Sequence, residues 1–206
     1  MDDRRRAAAR ASLDGLAFGD AFGERFFGLF RPADEARRLI GERTAPPDPH
    51  WHWHWTDDTA MALGLFAVLE AHGEVPARPL AERFAADYEA DPGRGYGPGM
   101  HALLPRVAAR PGERETLATA LFGGEGSLGN GAAMGSPLLV KSLGALWCAA
   151  RHPDDLESAL WTTAAGLGDV DTTCAIVGGV VAAHTGVSAL PQEWRERREP
   201  LPPPVG

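Results

Sequence analysis

Residues 56–73, TDDTAMALGLFAVLEAHG, open with two adjacent aspartates between threonines and continue as a run of apolar and small residues. The apolar residues recur at the spacing of an α-helix. Aspartate and threonine suit the start of a helix, because their oxygens accept the first backbone N–H groups and a negative charge faces the positive end of the helix dipole. One carboxylate is enough for that role. Two adjacent carboxylates repel each other, which is a cost that a bound cation would remove.

A second stretch, residues 168–186, has the same form: GDVDTTCAIVGGVVAAHTG. Asp169 and Asp171 are two positions apart, so in an extended or turn segment their side chains point to the same side, with Thr172 near them. Capping again explains one carboxylate and not the pair. Carboxylate and hydroxyl oxygens favour Mg²⁺, Mn²⁺ or Ca²⁺ over zinc. The two stretches therefore indicate two helix starts that are either simply capped or converge on shared divalent cations.

Helical periodicity recurs along the chain and strand alternation occurs almost nowhere, so the sequence predicts an all-α protein. At 206 residues we expect one domain, residues 1–198, followed by a Pro-rich, extended and peripheral tail, residues 199–206. Helices are predicted over residues 5–22, 33–42, 58–72, 77–90, 99–109, 114–121, 138–151, 154–165 and 171–185.

The composition argues against two classes of partner. A formal net charge of -8 disfavours binding to a nucleic-acid backbone, which depends on clustered Lys and Arg. No run of about 18 apolar residues occurs, so no membrane span is predicted. Cys148 and Cys174 are too few and too isolated for a disulfide framework, which fits a reducing compartment. We therefore expect a cytoplasmic protein.

Three Gly-rich connectors, at residues 91–99, 123–131 and 166–169, separate the predicted helices. Glycine lets the backbone turn sharply or come close to a ligand, so these loops are either simple turns or the lining of a site.

The stretch HWHWHW, residues 50–55, alternates two residue types. If it is extended, the tryptophans lie on one face and His50, His52 and His54 on the other. The preferred interpretation is that the tryptophans anchor the segment to the helices and the histidines face solvent. A zinc or nickel site built from the three histidines is the alternative.

The motifs together resemble those of the ADP-ribosylglycohydrolase family, and they occur in the family's order. The similar segments are GLAFGDAFG (15–23), WTDDTAMAL (55–63), RGYGPG (94–99), SLGNGAAM (127–134) and GDVDTTCAIVGG (168–179). Five ordered matches over most of the chain are far more specific than any one Gly-rich loop.

The resemblance implies an orthogonal bundle of α-helices with a dinuclear Mg²⁺ centre, for which Mn²⁺ is also suitable. It implies hydrolysis of the glycosidic bond between ADP-ribose and an acceptor, a protein arginine or another ADP-ribosyl conjugate. Asp57 or Asp58 would activate the attacking water. The implied metal ligands are Thr56, Asp57, Asp58, Asp169, Asp171 and Thr172.

The resemblance also implies a partner, which is either a small molecule containing ADP-ribose or an ADP-ribosylated protein. Backbone groups of the Gly-rich loops would then hold its diphosphate and ribose. The implied substrate-binding residues are Gly95, Tyr96, Gly97, Ser127, Gly129, Asn130, Gly131 and Met134, although core packing explains Met134 equally well.

The chain departs from the family pattern at three points. Phe27 stands where some members carry a glutamate, and Glu24 is out of register and is not expected to take that role. Gly135 stands where an arginine is usual. Between Met134 and Asp169 lie only 34 residues, where relatives have several more helices. The alternative function is therefore a shortened relative that binds metal or ADP-ribose without turnover.

Overall fold

The computed structural model of the protein describes residues 2–26, 32–45, 52–124 and 139–203, with the backbone alone over residues 139–143. The described residues are largely α-helical, which confirms the all-α prediction. The α-helices are Asp3–Glu24 (α1), Ala33–Gly41 (α2), Asp57–His72 (α3), Ala77–Ala90 (α4), Pro98–Ala109 (α5), Arg114–Thr119 (α6), Leu139–Arg151 (α7), Leu156–Ala164 (α8), Val170–Thr185 (α9) and Gln192–Arg197 (α10).

The predicted helices agree with these bounds except near two short segments. The helix predicted to reach residue 121 ends at Thr119, because Phe122 and Gly123 adopt left-handed backbone angles within a 3-10 turn. Helix α10 was not predicted. It is only six residues long and follows Pro191, so its sequence carries too few turns for a periodic signal.

By its internal contacts the chain divides into two compact units. The middle unit consists of residues 60–130, and the terminal unit consists of residues 2–59 and 131–204. The single domain expected from the sequence stays a prediction. In the part of the chain that the structure describes, every helix is too short or too polar to cross a membrane.

In the terminal unit, α1 packs against α9 through a row of glycines spaced four residues apart. A Cβ atom added at Gly19 would lie 1.9 Å from the carbonyl oxygen of Cys174, and one added at Gly15 would lie 2.3 Å from that of Gly178. Real Cβ atoms do not approach other atoms this closely. The two helix backbones therefore touch, and only glycine fits between them.

A second row on α1 holds the aromatic core of the terminal unit. The ring of Phe22 lies 5.0 Å from that of Trp161 and 5.3 Å from that of Trp194, measured between centroids. Phe18 lies one turn earlier and contacts Trp53 edge-on at 6.2 Å. Such edge and tilted pairs add stabilisation to the area that the rings bury. This cluster also explains α10, because Trp194 fixes that short helix to the core.

The His-Trp segment lies as expected over the residues that the structure describes. Trp53 and Trp55 are buried, whereas His52 and His54 are exposed. Trp53 forms a parallel bridge with Arg198. His50 lies outside the described residues.

The beginning of the predicted peripheral tail is held to this segment. The backbone N–H of Glu199 donates to the carbonyl of Trp53 at 3.0 Å, and the side chain of Glu199 lies 3.1 Å from Nδ1 of His54. One residue earlier, the guanidinium of Arg198 donates to Asp14 of α1 at 2.5 Å. The polypeptide around residue 199 is therefore paired, and not simply extended in solvent.

The middle unit contains the remainder of α3 together with α4, α5 and α6. Its small core includes Ala85, Val107 and Leu117, one from each of these last three helices. Tyr96, in the connector before α5, is buried and contacts the ring of Tyr88 at 5.1 Å. The glycine before it, Gly95, has a φ of 84°, so this turn requires a residue without a Cβ atom.

Candidate active site

The start of α3 is capped by a carboxylate from another helix. Oδ2 of Asp20, on α1, accepts the backbone N–H of Thr56 at 2.8 Å and that of Thr59 at 3.2 Å. The hydroxyls of the same threonines donate to Asp20 at 2.8 Å and 2.5 Å. Asp20 is fully buried and does what an N-cap side chain ordinarily does. Because Asp20 caps this helix, capping does not explain why two aspartates stand at positions 57 and 58.

A hydrogen bond links the two acidic motifs. The hydroxyl of Thr172, in the first turn of α9, donates to Oδ2 of Asp58 at 2.7 Å, although the two residues are 114 positions apart. Asp58 is 4% exposed and Thr172 is fully buried. The close packing of α1 on α9 and the capping of α3 by α1 bring these two helix starts together.

The α9 motif carries an unsatisfied oxygen. Oδ1 of Asp171 is buried and has no hydrogen-bond partner, which is unfavourable for a carboxylate. Burial, followed by a hydrogen bond with Asp169 and the charge of that residue, raises the pKa of Asp171 to about 8. Asp169 is the N-cap residue of α9, and its side chain makes no capping hydrogen bond. Helix capping therefore does not explain the aspartates of the α9 motif either.

Burial and mutual repulsion disfavour the ionised forms of the neighbouring carboxyl groups as well. The pKa of Asp58 is well above its usual range because of burial and then the charge of Asp20. Burial also raises the pKa of Asp20, against the lowering effect of its hydrogen bonds to the two threonines. The pKa of Glu24 is raised to about 7 by burial and by the charges of Asp20 and Asp57. Carboxyl groups with raised pKa values are therefore concentrated at one place in the terminal unit.

The chemistry of these groups fits a hard divalent cation. Buried carboxylates with raised pKa values and an orphaned carboxylate oxygen are conditions that a bound cation relieves, and Mg²⁺ prefers oxygen ligands. Among the described residues, no group of three or more His, Cys, Asp or Glu side chains is arranged so that it could hold a metal ion. The hydroxyl of Thr56, predicted to be a ligand, donates to Asp20. The ligand roles of the predicted residues stay predictions.

The predicted substrate residues are only partly described. Gly95, Tyr96 and Gly97 form the connector that leads into α5 of the middle unit. The remaining predicted substrate residues, and two of the departures from the family pattern, lie outside the described residues: Ser127, Gly129, Asn130, Gly131, Met134, Phe27 and Gly135.

Reasoning from the sequence missed two residues of this site. Asp20 lies in the N-terminal motif, which by itself indicates no role for this residue, and Glu24 does not align with the glutamate of some relatives. Both follow the helical spacing of i and i+4, which places them on one face of α1. The i,i+4 spacing indicates that the two residues share one face of α1. Only the structure shows that Asp20 on this face contacts the start of α3.

A sequence model of the family described as ADP-ribosylglycohydrolase matches residues 1–140 and 134–202, which together span nearly the whole chain. The chain belongs to the ADP-ribosylglycohydrolase family. The glycine row of α1 and the acidic starts of α3 and α9 thus all lie inside segments that match the ADP-ribosylglycohydrolase model.

Curated proteins are similar to this ADP-ribosylglycohydrolase family member over part of their length. ADP-ribosylhydrolase ARH3 of Homo sapiens is 35% identical over 134 residues, which cover 61% of this chain and 36% of that protein. The Danio rerio protein of the same name is 34% identical over 61% of this chain and 34% of its own length. The Xenopus tropicalis protein is 31% identical over 77% of this chain and 45% of its own length. The chain therefore spans less than half the length of these relatives.

Proposed function

We propose that this protein hydrolyses the glycosidic bond between ADP-ribose and an acceptor. The observation that carries the proposal is the hydrogen bond between Thr172 and Asp58, two buried residues, which joins two acidic motifs distant in sequence into one cluster. Family membership and the similarity to proteins named ADP-ribosylhydrolase support the same chemistry.

In the proposed reaction the carboxylates of the α3 motif act on water. A carboxylate oxygen of Asp57 or Asp58 accepts a proton from the water, whose oxygen bonds to the anomeric carbon of the ribose. The bond to the acceptor breaks, and the acceptor leaves with the proton that the carboxyl group took from the water. Positive charge develops on the sugar in this step, and the surrounding negative charge stabilises it. The hydroxyl of Thr172 holds one oxygen of Asp58, so this carboxylate is positioned before substrate binds.

We further propose that the site holds two Mg²⁺ ions, for which Mn²⁺ can substitute. When bound, such ions would polarise the ribose hydroxyls and orient the water. The residues that would hold them are Thr56, Asp57, Asp58, Asp169, Asp171 and Thr172. The unpaired oxygen of Asp171 and the raised pKa values of Asp58 and Asp171 support this assignment.

The partner in this proposal is an ADP-ribosylated protein or a small ADP-ribosyl conjugate. Its diphosphate and ribose would contact the backbone of the connector at Gly95, Tyr96 and Gly97 and of the segment at residues 127–131. We place the protein in the cytoplasm, a proposal supported by Cys148 and Cys174, which are both free and buried.

The proposal is tested by release of ADP-ribose. The full chain is incubated with Mg²⁺ and either an ADP-ribosylated arginine peptide or a small ADP-ribosyl conjugate, and free ADP-ribose is measured by chromatography. We expect release, with the rate lowered by at least about 100-fold in Asp58→Asn. The matched control is Asp154→Asn, an aspartate whose side chain is 79% exposed, which we expect to react at the wild-type rate.

Calorimetry with ADP-ribose separates the remaining outcomes. Binding of ADP-ribose without release from either substrate would overturn hydrolysis and leave a shortened relative that binds without turnover. Absence of both binding and release would overturn both functions.

A further inference from the structure

The connector between α4 and α5, residues 91–97, places one side chain inside the middle unit. Tyr96 is 4% exposed, whereas Gly95 and Gly97 on either side of it are exposed. The tyrosine ring is therefore packed against the protein and does not offer a face on which a ligand could stack. Tyr96 anchors the connector, and the backbone of its glycine neighbours is the part that a ligand can reach.

Tyr88 and His101 contact this anchor from the two helices that the connector joins. The ring of Tyr88, near the end of α4, lies 5.1 Å from that of Tyr96, measured between centroids. The ring of His101, in the first turn of α5, lies 6.5 Å from that of Tyr96. The hydroxyl of Tyr88 and Nδ1 of His101 are 2.7 Å apart, which is a hydrogen-bond distance. This hydrogen bond links the end of α4 to the start of α5, on both sides of the connector.

A different set of contacts shapes the first half of the connector. Oδ1 of Asp91 accepts the backbone N–H of Gly93 at 3.2 Å, and Oδ2 of the same residue lies 2.8 Å from Nε of Arg94. These contacts join residues that are close in sequence. The second half, which contains the proposed substrate residues, is held by the packing of Tyr96 and by the Tyr88–His101 hydrogen bond.

The location of this hydrogen bond indicates a role in the connector more than in the stability of the fold. The small core of the middle unit lies at other residues, which include Ala85, Val107 and Leu117. His101 is exposed, so water competes for the hydrogen bond, and the net contribution of such a bond to stability is modest. The same bond can still fix the conformation of a short loop, because ordering a few backbone residues costs conformational entropy.

We propose that Tyr88 and His101 are positioning residues for the substrate, because their hydrogen bond holds the connector in its ligand-binding conformation before the ligand arrives. The inference rests on the proposed function for the identity of the ligand, an ADP-ribosyl group held by the backbone around Gly95 and Gly97. A connector that is already ordered loses less conformational entropy on binding. If its binding conformation were populated for only part of the time, the apparent Kd would rise in proportion.

The test uses the full chain with Mg²⁺ and the substitution Tyr88→Phe, which removes the hydroxyl and keeps the ring against Tyr96. Calorimetry measures the affinity for ADP-ribose, and release of ADP-ribose from a small ADP-ribosyl conjugate gives KM and kcat. We expect the affinity to fall and KM to rise by at least about fivefold, the equivalent of one hydrogen bond. We expect kcat to stay within about twofold of the wild type, because the carboxylates proposed to act on water lie in the terminal unit.

Substitutions of His101 separate the hydrogen bond from the packing of the ring. His101→Phe keeps a ring without its nitrogens, and we expect the same loss as in Tyr88→Phe. The double variant should lose little more than either single variant, because both remove the same contact. His101→Asn places an amide near the position of Nδ1 and should keep the affinity within about twofold of the wild type. The matched control is His72→Phe, at an exposed histidine that ends α3, and it should bind like the wild type.

The outcomes distinguish this inference from the proposed function. Unchanged affinity and KM in either phenylalanine variant, even with a lowered melting temperature, would overturn the positioning role and leave the proposed function standing. A fall in kcat with KM unchanged would overturn the positioning role as well. If Tyr88→Phe does not fold, His101→Phe decides. If neither variant folds, the pair serves the fold and the inference is wrong.

Hydrolysis itself is judged by the wild type. Binding of ADP-ribose that depends on the Tyr88–His101 pair, in a protein that releases no ADP-ribose, would support the inference and overturn hydrolysis. A wild type that neither binds nor releases ADP-ribose would overturn the inference together with the proposed function.

Discussion

Asp20 is a buried carboxylate that other residues depend on. Burial alone would favour its neutral form, and the hydrogen bonds from the backbone and hydroxyl groups of Thr56 and Thr59 oppose that effect. Each of these donors is buried as well, so the carboxylate and its partners satisfy one another. The residue stabilises the start of α3, and through it the position of the two aspartates that follow Thr56.

We predict that Asp20→Asn destabilises the protein by about 3 kcal/mol. The amide has the shape of the carboxylate but only one acceptor oxygen, so its NH₂ group faces donors of Thr56 or Thr59 that are left unpaired. The free energy of unfolding is measured by urea denaturation. Asp154→Asn, at an exposed position, should change it by less than about 0.5 kcal/mol. Equal stability of the two variants would contradict the capping role of Asp20.

At the level of elements, the pairing of α1 with α9 organises the terminal unit. Three rows run along α1, each spaced by four residues. The glycine row faces α9, the phenylalanine row enters the aromatic core, and Asp20 and Glu24 face the acidic motifs. The residues of α1 therefore set two things at once: how closely α1 packs on α9, and where the candidate site lies.

We predict that Gly19→Ala destabilises the terminal unit by about 3 kcal/mol. The added methyl group would lie 1.9 Å from the carbonyl oxygen of Cys174, which is backbone and has little room to move. The helices must separate, and cation affinity should fall with stability. Gly144→Ala is the control, since nothing lies within 4 Å of a Cβ atom at that position of α7. It should be neutral or stabilise by up to about 1 kcal/mol, and a similar loss in both variants would contradict the packing argument.

The sequence predicted the elements better than their contacts. Long helices such as α3, α4 and α9 repeat their apolar spacing over several turns, so their type and bounds follow from local pattern. Helix α10 lacks that length, and it depends on Trp194 packing against residues far away in sequence. The acidic residues of α3 and α9 were found from residue type and order. Their link through Thr172, like the capping by Asp20, joins distant positions and has no local signature.

Over the whole molecule, the acidic cluster should make stability depend on pH in an unusual direction. In the unfolded chain these carboxyl groups release their protons near pH 4, whereas the folded chain holds them until about pH 7 at Glu24 and about pH 8 at Asp171. Between these values the folded state binds more protons than the unfolded state. Its stability must therefore fall as pH rises. Asp155, with a lowered pKa, acts only below this range.

We predict that, without divalent cations, the melting temperature falls as pH rises from about 5 to about 8. Measurement in a chelating buffer by differential scanning calorimetry gives the profile, and Glu24→Gln should make it less steep because one titrating group is removed. Mg²⁺ should raise the melting temperature most at the high-pH end, where protons no longer compete with it. A melting temperature that rises with pH across this range in the chelating buffer would contradict the predicted charge cluster.

The contact between α1 and α9 also has a consequence for synthesis of the chain. Gly19 and Cys174 touch, yet about 150 residues separate them. At a rate of about 5–20 residues per second, the ribosome adds the partner of α1 roughly 8–30 s after α1 itself. During that time the phenylalanine row lacks Trp161 and Trp194, and at first it also lacks Trp53, just as Asp20 at first lacks Thr56 and Thr59. The terminal unit therefore cannot complete its folding during synthesis until its last helices have been made. Until then its apolar side chains are exposed to solvent or to a chaperone.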